Sequence, residues 1–220
     1  LGTFWGYDRS EMLYSATELT AAGVPNGIMI TSVGFYLNSL SGPSPVTPVK
    51  VYLKEVSGPA GLSPSTYAAA ISTAQLCYNG NVNGGSLVAG SWVTITLTTP
   101  FFFGGGGTHL DILVEENYGG SGGEAFNGKV FSRSNAPGNY YQYWAADNTP
   151  PAGNGFVSVS RPDAQINYTV ATPCVGVPPG ITANASPATV CPAVPYTVSV
   201  GGLYPPYNSN YTENPMARAT

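Results

Sequence analysis

The run Ser91–Asn117, SWVTITLTTPFFFGGGGTHLDILVEEN, restricts the fold more than any other stretch. Val93, Ile95 and Leu97 alternate with Trp92, Thr94, Thr96 and Thr98. Residues two apart share a face of a strand, so one face is aliphatic and the other is threonine with one tryptophan. Further on, Leu110, Ile112 and Val114 share a face, with His109, Asp111 and Glu115 opposite. The β-branched content and the period of two exclude helix. Gly104–Gly107 supplies a turn, because positive φ costs glycine little. The expectation is a β-hairpin with one apolar face, which needs a second sheet to cover it.

The chain has 220 residues, enough for one good-sized domain plus a small partner. A domain of about 170 residues buries roughly 70% of its unfolded surface and needs no metal or disulfide to hold a core. Charged residues are only 8% of the chain, against about 25% in an average globular protein. Glycine (28) and tyrosine (15), with Ser, Thr and Asn, take their place. This composition suits a secreted all-β protein with short strands and many turns. The net charge is −4 with no basic run, which argues against nucleic acid as a partner. No apolar stretch is long enough to cross a membrane as a helix. The first residue is Leu1, as expected of a processed or fragmentary mature chain. Of the three cysteines, Cys77 lies in a strand-like run and reads as a buried thiol. Cys174 and Cys191 flank a proline-rich segment and are a candidate disulfide; each could equally pair with a cysteine outside this sequence.

Taken in order, Leu1–Tyr7 reads as a first, edge strand. Ser15 and Glu18 form a capping-box pattern, and Gly23 and Pro25 end what starts there, so one short helix is expected, the only one in the chain. Gly27–Asn38 and Thr47–Val56 read as strands. In the first, strict alternation sets Ile28, Ile30, Ser32, Gly34 and Tyr36 against Met29, Thr31, Val33, Phe35 and Leu37. In the second, Val49, Val51 and Leu53 oppose Lys50, Tyr52 and Lys54. Pro59–Ala74 has no clear period and reads as a connection. Gln75–Tyr78 is a short strand closed by the turn pair Asn79-Gly80. Phe126–Arg133, Tyr140–Ala145, Phe156–Val159 and Ala164–Val170 complete about ten strands at sandwich-like spacing. The expected fold is an all-β, antiparallel jelly-roll-like β-sandwich over 1–171, then a proline-rich linker over 172–180 and a partial immunoglobulin-like β module over 181–220. In that last part Thr189–Pro192 and Tyr196–Val200 read as opening strands, and about 40 residues are too few to close two packed sheets.

The segments SEMLYSATEL (10–19), ITSVGFYL (30–37), VKVYLKEV (49–56), CYNG (77–80), SWVTITLTTPFFF (91–103), LDILVEEN (110–117) and RPDAQINY (161–168) occur in an order that resembles a recurrent secreted module of the Bacteroidota. That module belongs to large surface and adhesin-type proteins, many exported by the type IX system. The Cys-x-Gly-x-Pro segment at 174–178 and Val190-Cys-Pro resemble the junction to a following immunoglobulin-like repeat. The resemblance covers about 1–200 and implies a jelly-roll-like sandwich at the cell surface, in a multidomain protein. It carries over no catalytic residue.

Candidate chemistry is sparse. His109 is the only histidine and reads as a surface residue, since no G-x-S-x-G elbow accompanies it. Glu115 and Glu116 are adjacent, point to opposite faces of a strand, and so form no glycosidase pair by themselves. Asp8, Glu11, Asp111, Glu115 and Glu116 are the candidate ligands of Ca²⁺, a hard cation that takes oxygens from several loops; no other cofactor is expected. Gly104–Gly107 lacks the Lys-Ser/Thr ending and the following helix of a phosphate cradle. Tyr140, Tyr141, Tyr143 and Trp144 are candidate glycan-binding residues, because aromatic faces on a rigid sheet stack on sugar rings. Alternation sets Tyr141 and Tyr143 against Tyr140, Gln142 and Trp144, so one set belongs to packing. The expected function is a non-catalytic extracellular structural or adhesive module. Its partner would be itself, as the subunit of a surface filament joined by strand complementation, with Leu1–Tyr7 or Tyr196–Val200 as donor. The alternative is a carbohydrate-binding module of a secreted enzyme.

Overall fold

The computed structural model describes residues 5–40, 46–121 and 129–170, and the backbone of 182–186 and 197–201. Leu1–Val170 form one unit and Ala171–Thr220 a second. The strands of the first unit are β1 (Tyr7–Tyr14), β2 (Ile28–Leu40), β3 (Thr47–Val56), β4 (Gln75–Val82), β5 (Ser91–Phe103), β6 (His109–Asn117), β7 (Lys129–Phe131), β8 (Arg133–Asn135), β9 (Tyr141–Ala146), β10 (Phe156–Ser158), β11 (Ser160–Pro162) and β12 (Ala164–Val170). Two short helices, α1 (Ala16–Ala21) and α2 (Tyr67–Ala70), are inserted. Six strands form one antiparallel sheet in the order β10-β9-β1-β6-β3-β4. The facing sheet has the order β12-β2-β5, with β7 also pairing β2, and β11 pairs β8. This is the expected all-β antiparallel sandwich.

Alternation explains the core. Met12, Ile112, Val51 and Leu53 project inward from the six-stranded sheet and meet Ile30, Val33, Phe35, Ile95 and Leu97 of the facing sheet. Each aliphatic side chain so buried contributes about 1.5–3 kcal/mol over its exposed state. β3 follows the expected pattern, with Val49, Val51 and Leu53 buried. Along β5, Val93, Ile95 and Leu97 are buried while Thr94, Thr96 and Thr98 are exposed.

Several expectations need correction. β5 and β6 are not a hairpin: β5 pairs with β2, whereas β6 lies between β1 and β3 in the other sheet. Gly104–Gly107 therefore carries the chain across the sandwich. Gly105, Gly106 and Gly107 have positive φ. The Glu55 carboxylate accepts from the amides of Gly104 and Gly105 (3.2 and 3.0 Å) and from the Thr108 hydroxyl, which fixes the crossing. Among the described residues the first strand is Tyr7–Tyr14, which is interior, paired on both sides by β6 and β9, while residues 1–4 of the expected edge strand lie outside the described residues. In β2 the strict alternation fails. A bulge at Thr31, seen against both β5 and β12, turns Ile28 and Ile30 inward together with Val33, Phe35 and Leu37. β4 runs straight through Asn79-Gly80, because both residues pair with β3.

The helix expected after Ser15 forms with both arms of its capping box. It is not the only one: α2 lies in the connection that showed no period, capped by Thr66. That connection crosses the outer face of the six-stranded sheet, where Tyr67 and Ala70 pack on Leu113 and Trp144. β6 is consequently buried on both faces from His109 to Glu116. In the second unit β13 (Thr182–Ser186) pairs with β14 (Thr197–Gly201). The expected strand at Tyr196–Val200 largely coincides with β14. The linker at 172–180, the strand at Thr189–Pro192 and the candidate pair Cys174 and Cys191 lie outside the described residues.

Candidate functional site

The side chains singled out in the sequence fall on two sides of one sheet. Even-numbered residues of β1 and odd-numbered residues of β9 face inward; their neighbours face outward under α2. Of the four aromatic candidates, Tyr141 and Tyr143 therefore lie on the inner face. Trp144 is packed outside, edge-on to Tyr67 (5.3 Å between centroids, 72°), and its Nε1 donates to the Ser65 carbonyl at 2.9 Å. Tyr140 is buried, with the Arg161 guanidinium 5.9 Å from its ring centre.

The inner set opens into a cleft of about 650 Å³ between the sheets. Tyr141 and Tyr143 stack at 5.8 Å with 21° between planes, and Phe156 continues the row at 5.6 Å from Tyr143. Tyr143 is 39% exposed and Phe156 68%, so the outer end of the row reaches solvent. Trp5 lines the same cleft. The polar side chains are Asp8, Ser10, Lys129, Arg133 and Ser158. The Arg133 guanidinium stands 5.2 Å from the Tyr141 ring centre. Burial pushes the Asp8 carboxyl above its usual range, with Arg133 opposing. Burial lowers Lys129, with Glu116 opposing. Stacking surface beside convergent hydrogen-bonding groups matches the composition of a small-molecule or sugar site.

The five carboxylates proposed for calcium do not converge. Asp8 and Glu116 are register partners on the inner face. Glu115 lies outside, where it accepts from Arg9 at 3.1 Å and from Lys50 at 3.4 Å. Glu11 and Asp111 are also outside, both against the Lys54 ammonium. Projection of alternate strand residues to opposite faces separates them. Among the described residues no group of three His, Cys, Asp or Glu side chains is placed to hold a metal ion.

His109 is buried rather than a surface residue. Its Nδ1 accepts from the Ala16 amide at 2.9 Å, so Nε2 carries the proton and donates to the Gly58 carbonyl at 2.9 Å. It ties α1 and the connection after β3 to β6. Cys77 is the buried thiol expected, pushed up to about 11 by burial.

Trp5 and Arg133 line the cleft and Phe156 extends its aromatic row, but none of them was among the residues singled out from the sequence. For Phe156 the sequence carried no such signal: a turn at Asp147–Asn154 would set Phe156 opposite Ala145, whereas the observed register sets it opposite Tyr143.

Fold and cleft together define the class: an all-β antiparallel sandwich with an aromatic cleft between its sheets. Compared with models of protein families, with curated proteins and with solved structures, the chain matches none.

Proposed function

We propose that this chain is a non-catalytic adhesive module of an extracellular protein, and that its inter-sheet cleft holds a glycan. The observation that carries the reading is the row Tyr141–Tyr143–Phe156, whose outer two rings are exposed and whose tyrosines line the cleft with Asp8 and Arg133. Flat rings match the apolar faces of pyranoses, and a carboxylate with a guanidinium matches their hydroxyl edges. The low charge and tyrosine-rich composition accord with a surface protein. Screening the full chain on a glycan array, followed by calorimetry with the oligosaccharides that bind, tests the reading. Binding is expected; a chain that retains no glycan on the array or in titration to millimolar concentration contradicts it.

A second reading, the subunit of a surface filament joined by strand complementation, is favoured by β5. Among the described strands it pairs only with β2. Thr98 Oγ1 and Gln75 Nε2 tie its distal half to β4. Its first half, Ser91–Thr96, instead borders a groove of about 620 Å³. An added strand would satisfy that edge. Under this reading the chain oligomerises at high concentration, and a version ending at Val170 stays monomeric. A full chain that is monomeric at every concentration in light scattering contradicts it.

A further inference from the structure

Three side chains meet on the outer face of the six-stranded sheet, away from the cleft. Lys54 of β3 is the direct register partner of Asp111 of β6. Glu11 of β1 lies diagonally across from Asp111, one strand further on. The Lys54 ammonium is 2.9 Å from Glu11 Oε1 and 3.1 Å from Asp111 Oδ2, and it donates to the Ala70 carbonyl of α2 at 2.7 Å. Asp111 is 0% exposed and Glu11 3%. Leu13 and Leu113, the strand partners of Asp111 and Glu11, flank them, and α2 closes the top. Neither oxygen of Asp111 has a hydrogen-bond partner, although the ammonium is in contact. An unsatisfied buried carboxylate is costly, and the loss of both charges would relieve that cost.

We propose that Lys54 and Asp111 condense within the folded chain into an Nζ–Cγ amide, with Glu11 relaying the protons. The oxygen that Lys54 touches is bonded to the carbon that it attacks. Neighbouring strands hold Lys54 Nζ 3.1 Å from Asp111 Oδ2, and such fixed proximity lowers the entropic barrier to attack on the adjoining carbon. Burial, and next the negative charge of Glu11, hold the Asp111 carboxyl well above its usual range against the opposing Lys54 ammonium, which favours the neutral form that an amine attacks. Glu11 takes one proton from the Lys54 ammonium, leaving a neutral amine beside a neutral carboxylic acid. The nitrogen lone pair forms the Nζ–Cγ bond while the carbonyl π pair moves onto oxygen. Glu11 returns its proton to the departing hydroxyl as the Cγ–O bond breaks, and receives the second proton from nitrogen. The products are one amide, one water and a protonated Glu11. No oxidant, reductant or cofactor enters. The amide joins β3 to β6, two neighbouring interior strands of the six-stranded sheet, and suits a surface module that must resist pulling.

The test is the intact mass of the purified, folded full chain. It is expected to be lighter than its sequence requires by one water. A chymotryptic digest should yield one branched peptide joining Lys54 to Asp111. Lys54→Met and Asp111→Ala should have their full sequence mass. Because those two changes disturb a buried cluster, Glu11→Gln is the decisive variant: it keeps shape and volume, should fold by circular dichroism, and should remain uncondensed or condense at least 100-fold more slowly. A folded wild-type chain at full sequence mass after prolonged incubation overturns the proposal. So does a water loss that maps to any other pair of residues. A Glu11→Gln chain that condenses as fast as wild type overturns the role of Glu11.

Discussion

Tyr143 and Phe156 face each other across the β9–β10 pair, their ring centroids 5.6 Å apart, and both rings are open to solvent. One residue further along β9, Trp144 points the other way and is packed under α2. Adjacent aromatic residues of one strand are thus assigned to opposite tasks, an open ring row and a sealed outer face.

That division predicts that Trp144 is a stability residue. Its ring is buried and its Nε1 holds the Ser65 carbonyl. Trp144→Ala should lower unfolding free energy by about 3–5 kcal/mol, read from urea denaturation. Trp144→Phe, which keeps a ring against Tyr67 but loses the donor, should cost less, about 1–3 kcal/mol.

The cluster around Arg161 makes a second prediction. Arg161 lies 3.9 Å over the Tyr14 ring, pairs with Glu18 at 2.7 Å, and donates to the Leu13 carbonyl. Burial opposes ionisation of Glu18, but Arg161 and Ser15 outweigh it and hold its carboxyl below the usual range. Arg161→Ala leaves the Leu13 carbonyl and the Tyr14 ring without their partner while Glu18 keeps access to water, and should cost about 2–3 kcal/mol. Ser15→Ala removes the helix cap and one donor to Glu18 but leaves Arg161 in place, and should cost about 1–2 kcal/mol. Chemical denaturation of the two variants checks the ranking.

Asp8 gives a pH prediction of defined sign. Its folded-state carboxyl is raised by burial. The folded chain therefore binds its proton more tightly than the unfolded chain, and ionising Asp8 as pH rises from acid to neutral costs stability. Asp8→Asn removes that cost. The variant should be more stable than wild type at neutral pH, and the gain should vanish at pH values below about 4, where Asp8 is protonated in both states. A gain that grows toward acid pH contradicts the assignment.

How far the sequence could be read depended on what alternation encodes. Thr47–Val56 and Ala164–Val170 were legible to the residue, because an uninterrupted period of two needs only local sterics. The bulge at Thr31 was not legible, since it arises where β2 meets β5 and β12, far apart in the chain. Strand partners were equally hidden: a glycine run after β5 is compatible with a hairpin or with a crossing between sheets. Alternation did separate Tyr143 from Trp144, yet which side would be covered depended on α2, whose four residues carry no period. The ion pairs were illegible for the same reason. Glu115 finds Arg9 and Lys50 only once β1, β6 and β3 are aligned in that order.

The proposed Lys54–Asp111 amide has a consequence for stability. It closes a loop of roughly 60 residues, and a crosslink of that span should stabilise the chain by about 4 kcal/mol through the unfolded state. The condensed wild type should therefore unfold at higher urea concentration than Glu11→Gln, with the difference absent between two chains of full sequence mass.

The measurement that bears most directly on the proposed function is calorimetric titration of an array-selected oligosaccharide into wild type, Tyr143→Ala and Trp144→Phe. Truncating a central ring of a stacking surface should weaken binding by about 2 kcal/mol or more, near 30-fold, whereas Trp144→Phe should bind as wild type does. Undiminished binding by Tyr143→Ala, or loss confined to Trp144→Phe, would contradict the assignment of the inner cleft as the ligand site.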